Sequence, residues 1–369
     1  MSALPRIVVT GIGAVTALGR DLASTALGLA EGRSGVAPVY PAGQEPRGAS
    51  PAARIASFTT EPELPKAKAR RLDRGSLFAV VAAKQCLADA GWQMAGHEER
   101  TGILLGTGSA GAGPLTEFER QMALESPEAA SPFLFPYTVA NAPASVVALE
   151  LVIKGPNVTV IQKDPAAFNA LFYGRMMLAD GRADALLIGA ADEWSLTYHQ
   201  AYEHLRVTRS EGREGFVLGE GAGVVLVEPE ESARARGARA DVRLAGLATR
   251  PISMSPHVRR ASAAQLVATI RAALEEAGTA PADIGLVHLS ANGVPWVDEA
   301  EQQALREVFG DPLPEAAAVK LQIGENPFAG ATQLALAAAA LRSEDGLRAV
   351  LVNAFGAGGN FFSAVLSRE

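Results

Sequence analysis

Residues 158–171, "VTVIQKDPAAFNAL", pose the first chemical question in the chain. They follow the turn signal "KGPN" and lead into a helix ending at "LADG", so Gln162, Lys163, Asp164 and Pro165 fall on a turn between a buried strand and a buried helix. A nucleophile is often displayed at such a helix N-terminus. What stands here instead is an amine beside a carboxylate. Asp164 suits the place electrostatically, because a carboxylate complements the positive end of the helix dipole and can cap the free amides of the first turn.

Other reactive residue types are sparse. The one cysteine, Cys86, lies in the helical run "AVVAAKQCLADAG" among small apolar residues and reads as core. His199 and His204 are five apart, which on a helix points them about 140° apart and rules out a shared metal. His288 sits in the apolar strand "IGLVHLS" and reads as a satisfied structural histidine; His97 and His257 lie in polar loops. "GTGSAG" at 106–111 matches G-x-G-x-x-G, but without the first βαβ unit and following acid of a dinucleotide site it reads as a tight turn. Neither a G-x-S-x-G elbow nor a P-loop is present, and no metal or cofactor is expected.

The elements that must position these residues are short β-branched runs alternating with alanine-rich helices. "RIVVTG", "TGILLGTG", "VTVIQ", "DALLIGA", "GVVLVE", "VRLAG", "IGLVHLS" and "RAVLVNAFG" read as buried strands. "RGSLFAVVAAKQCLADAGW", "PAAFNALFYGRMMLADG", "SAAQLVATIRAALEEAG", "DEAEQQALREVFG" and "GATQLALAAAALRS" read as helices, several stopping at a glycine. The halves echo each other. "VTVIQKDPAAFNALFYGRMML" corresponds to "AVKLQIGENPFAGATQLALAAAAL", and "DALLIGAADE" to "RAVLVNAFGAGG", with the break near residues 235–243. "PAGQEPRGASPAAR" reads as a surface loop.

The 369 residues are 48% hydrophobic, enough for a large core, and the net charge of −7 with scattered basic residues gives no footprint for nucleic acid. A single cysteine excludes an internal disulfide, and no run approaches the ~18 apolar residues of a membrane span. The start lacks the pattern of a signal peptide, so a soluble cytoplasmic protein is expected.

Taken in order, "RIVVTGIGAVTALG", "GLAEGRSGV", "RLDRGSLFAVVAAKQCLADAGW", "NAPASVVALELVIKGPNVTV", "GRADALLIGAADE", "EGFVLGEGAGVVLVEPEESARARGA" and "NAFGAGGNFFSAVL" make a composite that resembles the β-ketoacyl-acyl carrier protein synthases of fatty acid and polyketide synthesis. The resemblance covers nearly the whole chain. It implies an α/β, thiolase-like fold, internally duplicated and layered αβαβα, with halves at 1–238 and 239–369. Active members carry a cysteine nine residues after the first glycine of Gly-Pro-Asn, and counting from Gly155 that position is Asp164. The family's first histidine maps to Asn292 in "SANG"; its second maps to Glu325 in "KLQIGE", where Lys320 and Gly324 are retained. The gate loop "AFGAGGN" has Ala357 where a second phenylalanine is usual, and the chain looks shortened around 196–212 and 249–257.

The condensation needs a thiolate to hold the acyl group and imidazole N–H groups for the developing enolate and oxyanion. All three are replaced. Within the family this resembles the chain length factor subgroup. The expectation is therefore a catalytically silent subunit that pairs with an active ketosynthase and meets acyl carrier protein through that complex. Leu115, Phe118, Met122, Phe133 and Phe135 are the expected tunnel or interface residues. One alternative is an enzyme of altered chemistry, a decarboxylase, acyltransferase or hydrolase using Lys163, Asp164 and Glu325 as acid/base groups; another is a homodimeric acyl-binding scaffold.

Overall fold

The structure is a computed structural model and describes residues 5–39, 50–251, 262–356 and 359–369. Ten strands form the main sheet: β1 (Ile7–Val15), β2 (Thr101–Thr107), β3 (Asn157–Ile161), β4 (Ala185–Asp192), β5 (Gly221–Pro229), β6 (Val242–Pro251), β7 (Ile284–His288), β8 (Glu315–Ala317), β9 (Ala349–Gly356) and β10 (Asn360–Arg368). Their order is β8-β7-β9-β10-β6-β1-β5-β4-β2-β3. From the central seam outward, one half runs β1-β5-β4-β2-β3 and the other β6-β10-β9-β7-β8, so each strand of the second half repeats its first-half counterpart five strands later. The duplication read from the sequence is thus a property of the fold. The halves join through β1 and β6, which pair antiparallel at Val8 and Arg243.

All eight runs read as strands are strands, in β1, β2, β3, β4, β5, β6, β7 and β9. One detail of the repeat differs. "KLQI", aligned with a strand of the first half, forms the single helical turn Lys320–Ile323, and the equivalent strand is β8 just before it.

The helices that matter to the site are α1 (Arg74–Asp89), α2 (Ala112–Leu124), α3 (Ala142–Leu151), α4 (Ala166–Ala179), α5 (Leu196–His204), α6 (Ala263–Ala277), α7 (Pro295–Phe309), α8 (the turn Lys320–Ile323) and α9 (Pro327–Ser343). Three hydrophobic cores define the layers. α1 and α3 cover the outer face of the first half-sheet, α6 and α7 that of the second, and α4 and α9 lie between. Being sandwiched on both sides, α9 is apolar nearly all round, as its alanine-rich sequence allows. It packs so closely that a Cβ on Gly223 of β5 would stand 2.4 Å from the Thr332 amide. This is the thiolase-like αβαβα arrangement. Among the described residues no helix is long and apolar enough to cross a membrane. Ala357 and His257 lie outside the described residues, as do most of "PAGQEPRGASPAAR" and the end of the 249–257 segment.

His288 corrects an expectation. It is buried at the end of β7, yet neither ring nitrogen has a hydrogen-bond partner. Its neighbours on the sheet are Ala317 and Val352, which offer side chains without polar atoms. Burial alone pushes its pKa down to about 4. A depressed histidine favours the folded state above the unfolded-state pKa of about 6.5, because below it the unfolded chain takes up the proton first. That contribution falls away between pH 6.5 and 4. Urea unfolding of the native chain and of His288→Leu should therefore show the native chain losing roughly 2 kcal/mol relative to the variant from pH 7 to pH 5. Parallel pH profiles would contradict this account.

Candidate functional site

The turn after β3 and the loops after β7 and α8 converge on one pocket of about 460 Å³. Its walls are mostly apolar, with Tyr202, Phe216, Val294 and Trp296 prominent, and Asp164, Asn292 and Glu325 share the polar part with Lys163, Arg206, Glu214 and Asn326. The three residues aligned with the catalytic positions are therefore brought together.

Each is placed by local backbone geometry. Glu325 is held by the short strand Leu218–Gly219: its amide donates to the Val217 carbonyl at 2.6 Å, and its carbonyl accepts from the Gly219 amide at 3.0 Å. The two backbones approach so closely that a Cβ on Gly324, which has φ +83°, would stand 2.6 Å from the Gly219 Cα. Only glycine fits there. Asn292 lies in a loop clamped by α7. Asp298 accepts from the Asn292 and Gly293 amides at 3.1 and 2.9 Å, and Glu301 accepts from the Ser290 and Ala291 amides, both at 3.0 Å. Glu301 is fully buried and also accepts from Asn353 at 2.9 Å; burial pushes its pKa up to about 7.

Asp164 does not cap its helix, contrary to expectation. Pro165 occupies the cap position of α4 with no side-chain hydrogen bond, which leaves Asp164 one residue short of the first turn. Its carboxyl faces Glu325 instead. Burial pushes Glu325 well above the usual carboxylate range and Asp164 pushes it the same way, while the Lys320 ammonium and the Asn292 side chain pull it back. Glu325 thus holds its proton at pH values where an exposed glutamate is ionised. Lys320 is almost wholly buried beneath, 3.3 and 3.2 Å from the two Glu325 oxygens. Desolvation works against its charge, but the carboxyls of Glu325, Asp164 and Glu301 prevail and its pKa rises.

The remaining reactive groups are occupied or remote. The Lys163 ammonium donates to the Gly108 carbonyl at 2.9 Å and lies over the rings of Tyr198 and Tyr202. Cys86 is fully buried and its thiol is pushed well up by desolvation. His199 accepts from the Trp194 indole at 3.3 Å, while His204 meets the Gln200 carbonyl at 2.8 Å. The "GTGSAG" turn carries no ligand geometry. A Cβ on Gly106 would collide with Ala166 at 2.7 Å, and Gly111 starts α2 in the left-handed region.

The expected tunnel residues separate by helix face. Gly113, Pro114 and Glu117 of α2 turn inward to a second cavity, whereas Leu115, Phe118 and Met122 lie on another face, with Phe118 against Phe135 at 5.8 Å. Of the five, Phe133 alone lines that cavity. Sequence reasoning missed two residues of weight, Asp192 and Glu193. The available signal was a pair of adjacent acids ending the apolar strand "DALLIGAADE". Asp192 accepts from Thr107, Ser109 and the Gly108 and Phe328 amides, and Glu193 from the Gly113 amide.

Fold and clustered positions together define a thiolase-like synthase scaffold. Sequence models of the β-ketoacyl synthase N-terminal and C-terminal domains match residues 5–233 and 240–349, and the chain belongs to the β-ketoacyl synthase family. A 3-oxoacyl-[acyl-carrier-protein] synthase 2 of Staphylococcus aureus is 28% identical over 332 residues, covering 84% of this chain and 78% of its own. Among solved structures, the ishigamide ketosynthase/chain length factor superposes with a TM-score of 0.87 at 24% identity, covering the whole of both chains. A ketosynthase in complex with its chain length factor from Xenorhabdus doucetiae gives 0.81 at 20% identity, again over both full chains. At these identities the structural likeness speaks for the fold.

The buried Lys320 makes the charge balance testable. Lys320→Met leaves two facing carboxyls without a counter-charge, and breaking a buried pair in this way costs about 3–5 kcal/mol. The loss should grow as pH rises and Glu325 gives up its proton, and shrink as pH falls and the raised Glu325 takes it up. Urea midpoints across a pH series measure it; a loss that does not depend on pH would contradict the assignment.

Proposed function

We propose that this chain is a non-condensing, chain-length-factor-like subunit that pairs with an active ketosynthase and shapes the space into which that partner extends its acyl chain. The observation that carries this reading is the site itself. On the sequence reading the family's three catalytic positions fall at Asp164, Asn292 and Glu325, and these three residues line one pocket with Lys320 against Glu325. No thiol stands at these positions to form a thioester, and no imidazole N–H stands there for the oxyanion. A carboxyl at Asp164 also repels the carboxylate of an incoming malonyl unit.

Support for a partner comes from the surface. β3 is an edge strand with Ile161 72% exposed, Leu149 and Val152 are exposed on and just after the helix packed against it, and Phe133 and Phe135 are exposed elsewhere on the surface. Such an apolar tract at a sheet edge is what an obligate interface covers, commonly 2,000 Å² or more in roughly sized terms. The solved ketosynthase paired with its chain length factor supplies the precedent in a protein of the same fold. Access of acyl carrier protein through the partner, action on polyketide or polyene chains and a cytoplasmic setting belong to the same proposal.

One observation favours a second reading. A carboxyl kept protonated beside an apolar pocket is equipped as a general acid, as a decarboxylase or hydrolase would require. Turnover of malonyl thioesters by the purified chain, abolished in Glu325→Gln, would establish that reading in place of the first.

Two outcomes are expected. Incubated with acyl carrier protein thioesters, the chain should acquire no covalent acyl group by intact-mass analysis, and Asp164→Cys should not condense acyl units, since both imidazoles remain absent. Co-expressed with an active ketosynthase encoded beside it, it should purify as a one-to-one complex, whereas alone it should self-associate. Clean monomeric behaviour at micromolar concentration, together with failure to pair, would refute the subunit reading.

A further inference from the structure

A second cavity, of about 1020 Å³, opens between the start of α1, the inner face of α2 and residues 132–137. Pro114, Phe133, Leu134 and Tyr137 give it apolar walls, so it suits an elongated hydrocarbon. Charged groups interrupt them: Arg70, Arg71, Arg74, Asp73, Glu117 and Glu193 also line the cavity, and of the carboxyls Glu117 is paired with Arg120. Glu193 is only 4% exposed, and its Oε1 accepts from the Gly113 amide at 2.8 Å. Among the described residues no protein donor reaches its Oε2. Asp73 uses Oδ2 to accept from the Ser76 amide at 3.1 Å, while its buried Oδ1 has no partner at all.

The nearest cation does not resolve this. Arg74 is committed to Glu220, with Nε and Nη2 at 2.8 and 2.6 Å from its two oxygens, and its Nη2 also donates to the Ile55 carbonyl. Arg74 and Glu220 thus form a closed bidentate pair, leaving one oxygen of Glu193 and one of Asp73 without a protein donor at the cavity. The buried Asp73 Oδ1 left unpaired costs about 1–3 kcal/mol, and the free Glu193 Oε2 can accept one more bond, so a ligand that supplies a donor is favoured over one that does not. Burial, Asp73 and Glu220 together push Glu193 up to about 7 against the Gly113 amide and Arg74, so it is poised to accept or to share a proton near neutrality.

We propose that this cavity selects an acyl chain whose far end carries a hydrogen-bond donor, a hydroxyl or an amine, and that Glu193 and Asp73 read that end. Its identity as the growing chain of a partner synthase rests on the subunit role proposed above; the preference for a donor-tipped chain does not. Glu193 is a specificity-determining residue in this account and takes no part in bond making.

The test uses the purified full-length chain and three probes, the N-acetylcysteamine thioesters of octanoic, ω-hydroxyoctanoic and ω-aminooctanoic acid, with affinity read by calorimetry. The donor-tipped probes should bind about tenfold more tightly than octanoyl, the equivalent of one satisfied hydrogen bond of about 1.4 kcal/mol. The preference should vanish in Glu193→Leu and persist, reduced, in Glu193→Gln. Asp73→Asn keeps the helix cap and should lower affinity for the amine more than for the hydroxyl. The amine's advantage should also grow as pH rises through about 7. That pH profile stands on the native chain if a variant fails to fold. Equal affinities for all three probes, no binding of any, or a preference unchanged in Glu193→Leu would overturn the inference. Failure of the chain to pair with a ketosynthase, with the probe preference intact, would instead remove the subunit reading alone.

Discussion

The arrangement of both halves depends on one buried carboxyl. Asp192, at the end of β4, is wholly inside the protein, where desolvation pushes its pKa up against the donors that surround it. Its Oδ1 gathers the Thr107 hydroxyl and the Gly108 and Ser109 amides, all from the turn after β2, and its Oδ2 accepts from the Phe328 amide at 3.1 Å in the first turn of α9. One side chain therefore ties a turn of the first half to the central helix of the second. Gly108 in turn receives the Lys163 ammonium through its carbonyl, which fixes the residue before Asp164. The site is assembled where the halves are stitched together.

The second half uses the same device with different residues. Glu301 and Asp298 hold four consecutive backbone amides around Asn292, and the Ser290 hydroxyl accepts from the Phe355 amide to bind this loop to β9. All these bonds engage main-chain groups or framework residues, and none requires the side chain at 164, 292 or 325. The fold can consequently keep its geometry whatever residue types stand at these positions. The carboxyls of Asp164 and Glu325 still need charge balance, and Lys320 supplies it.

Much of this was legible in sequence for physical reasons. Strands buried on both faces read as unbroken β-branched runs, and α9 lacks a polar stripe because sheet covers it on two sides. Positions 164, 292 and 325 followed from local motifs, Gly155-Pro156-Asn157, "SANG" and "KLQIG", each tied to tight backbone geometry. Long-range pairing was not legible. "KLQI" folds as a helical turn because it must deliver Lys320 under Glu325 across the short strand at Leu218–Gly219. Likewise, the missing partners of His288, the facing of Asp164 and Glu325, and the inward face of α2 depend on residues distant in the sequence.

The exposed edge of β3 carries an implication for association. Its outer row of amides and carbonyls, flanked by Ile161, offers a template to any extended chain that meets it, and the strand has neither a proline nor a lysine to discourage addition. A chain that leaves this edge uncovered invites strand addition from its neighbours, so whatever pairs along these five residues also guards the protein against association.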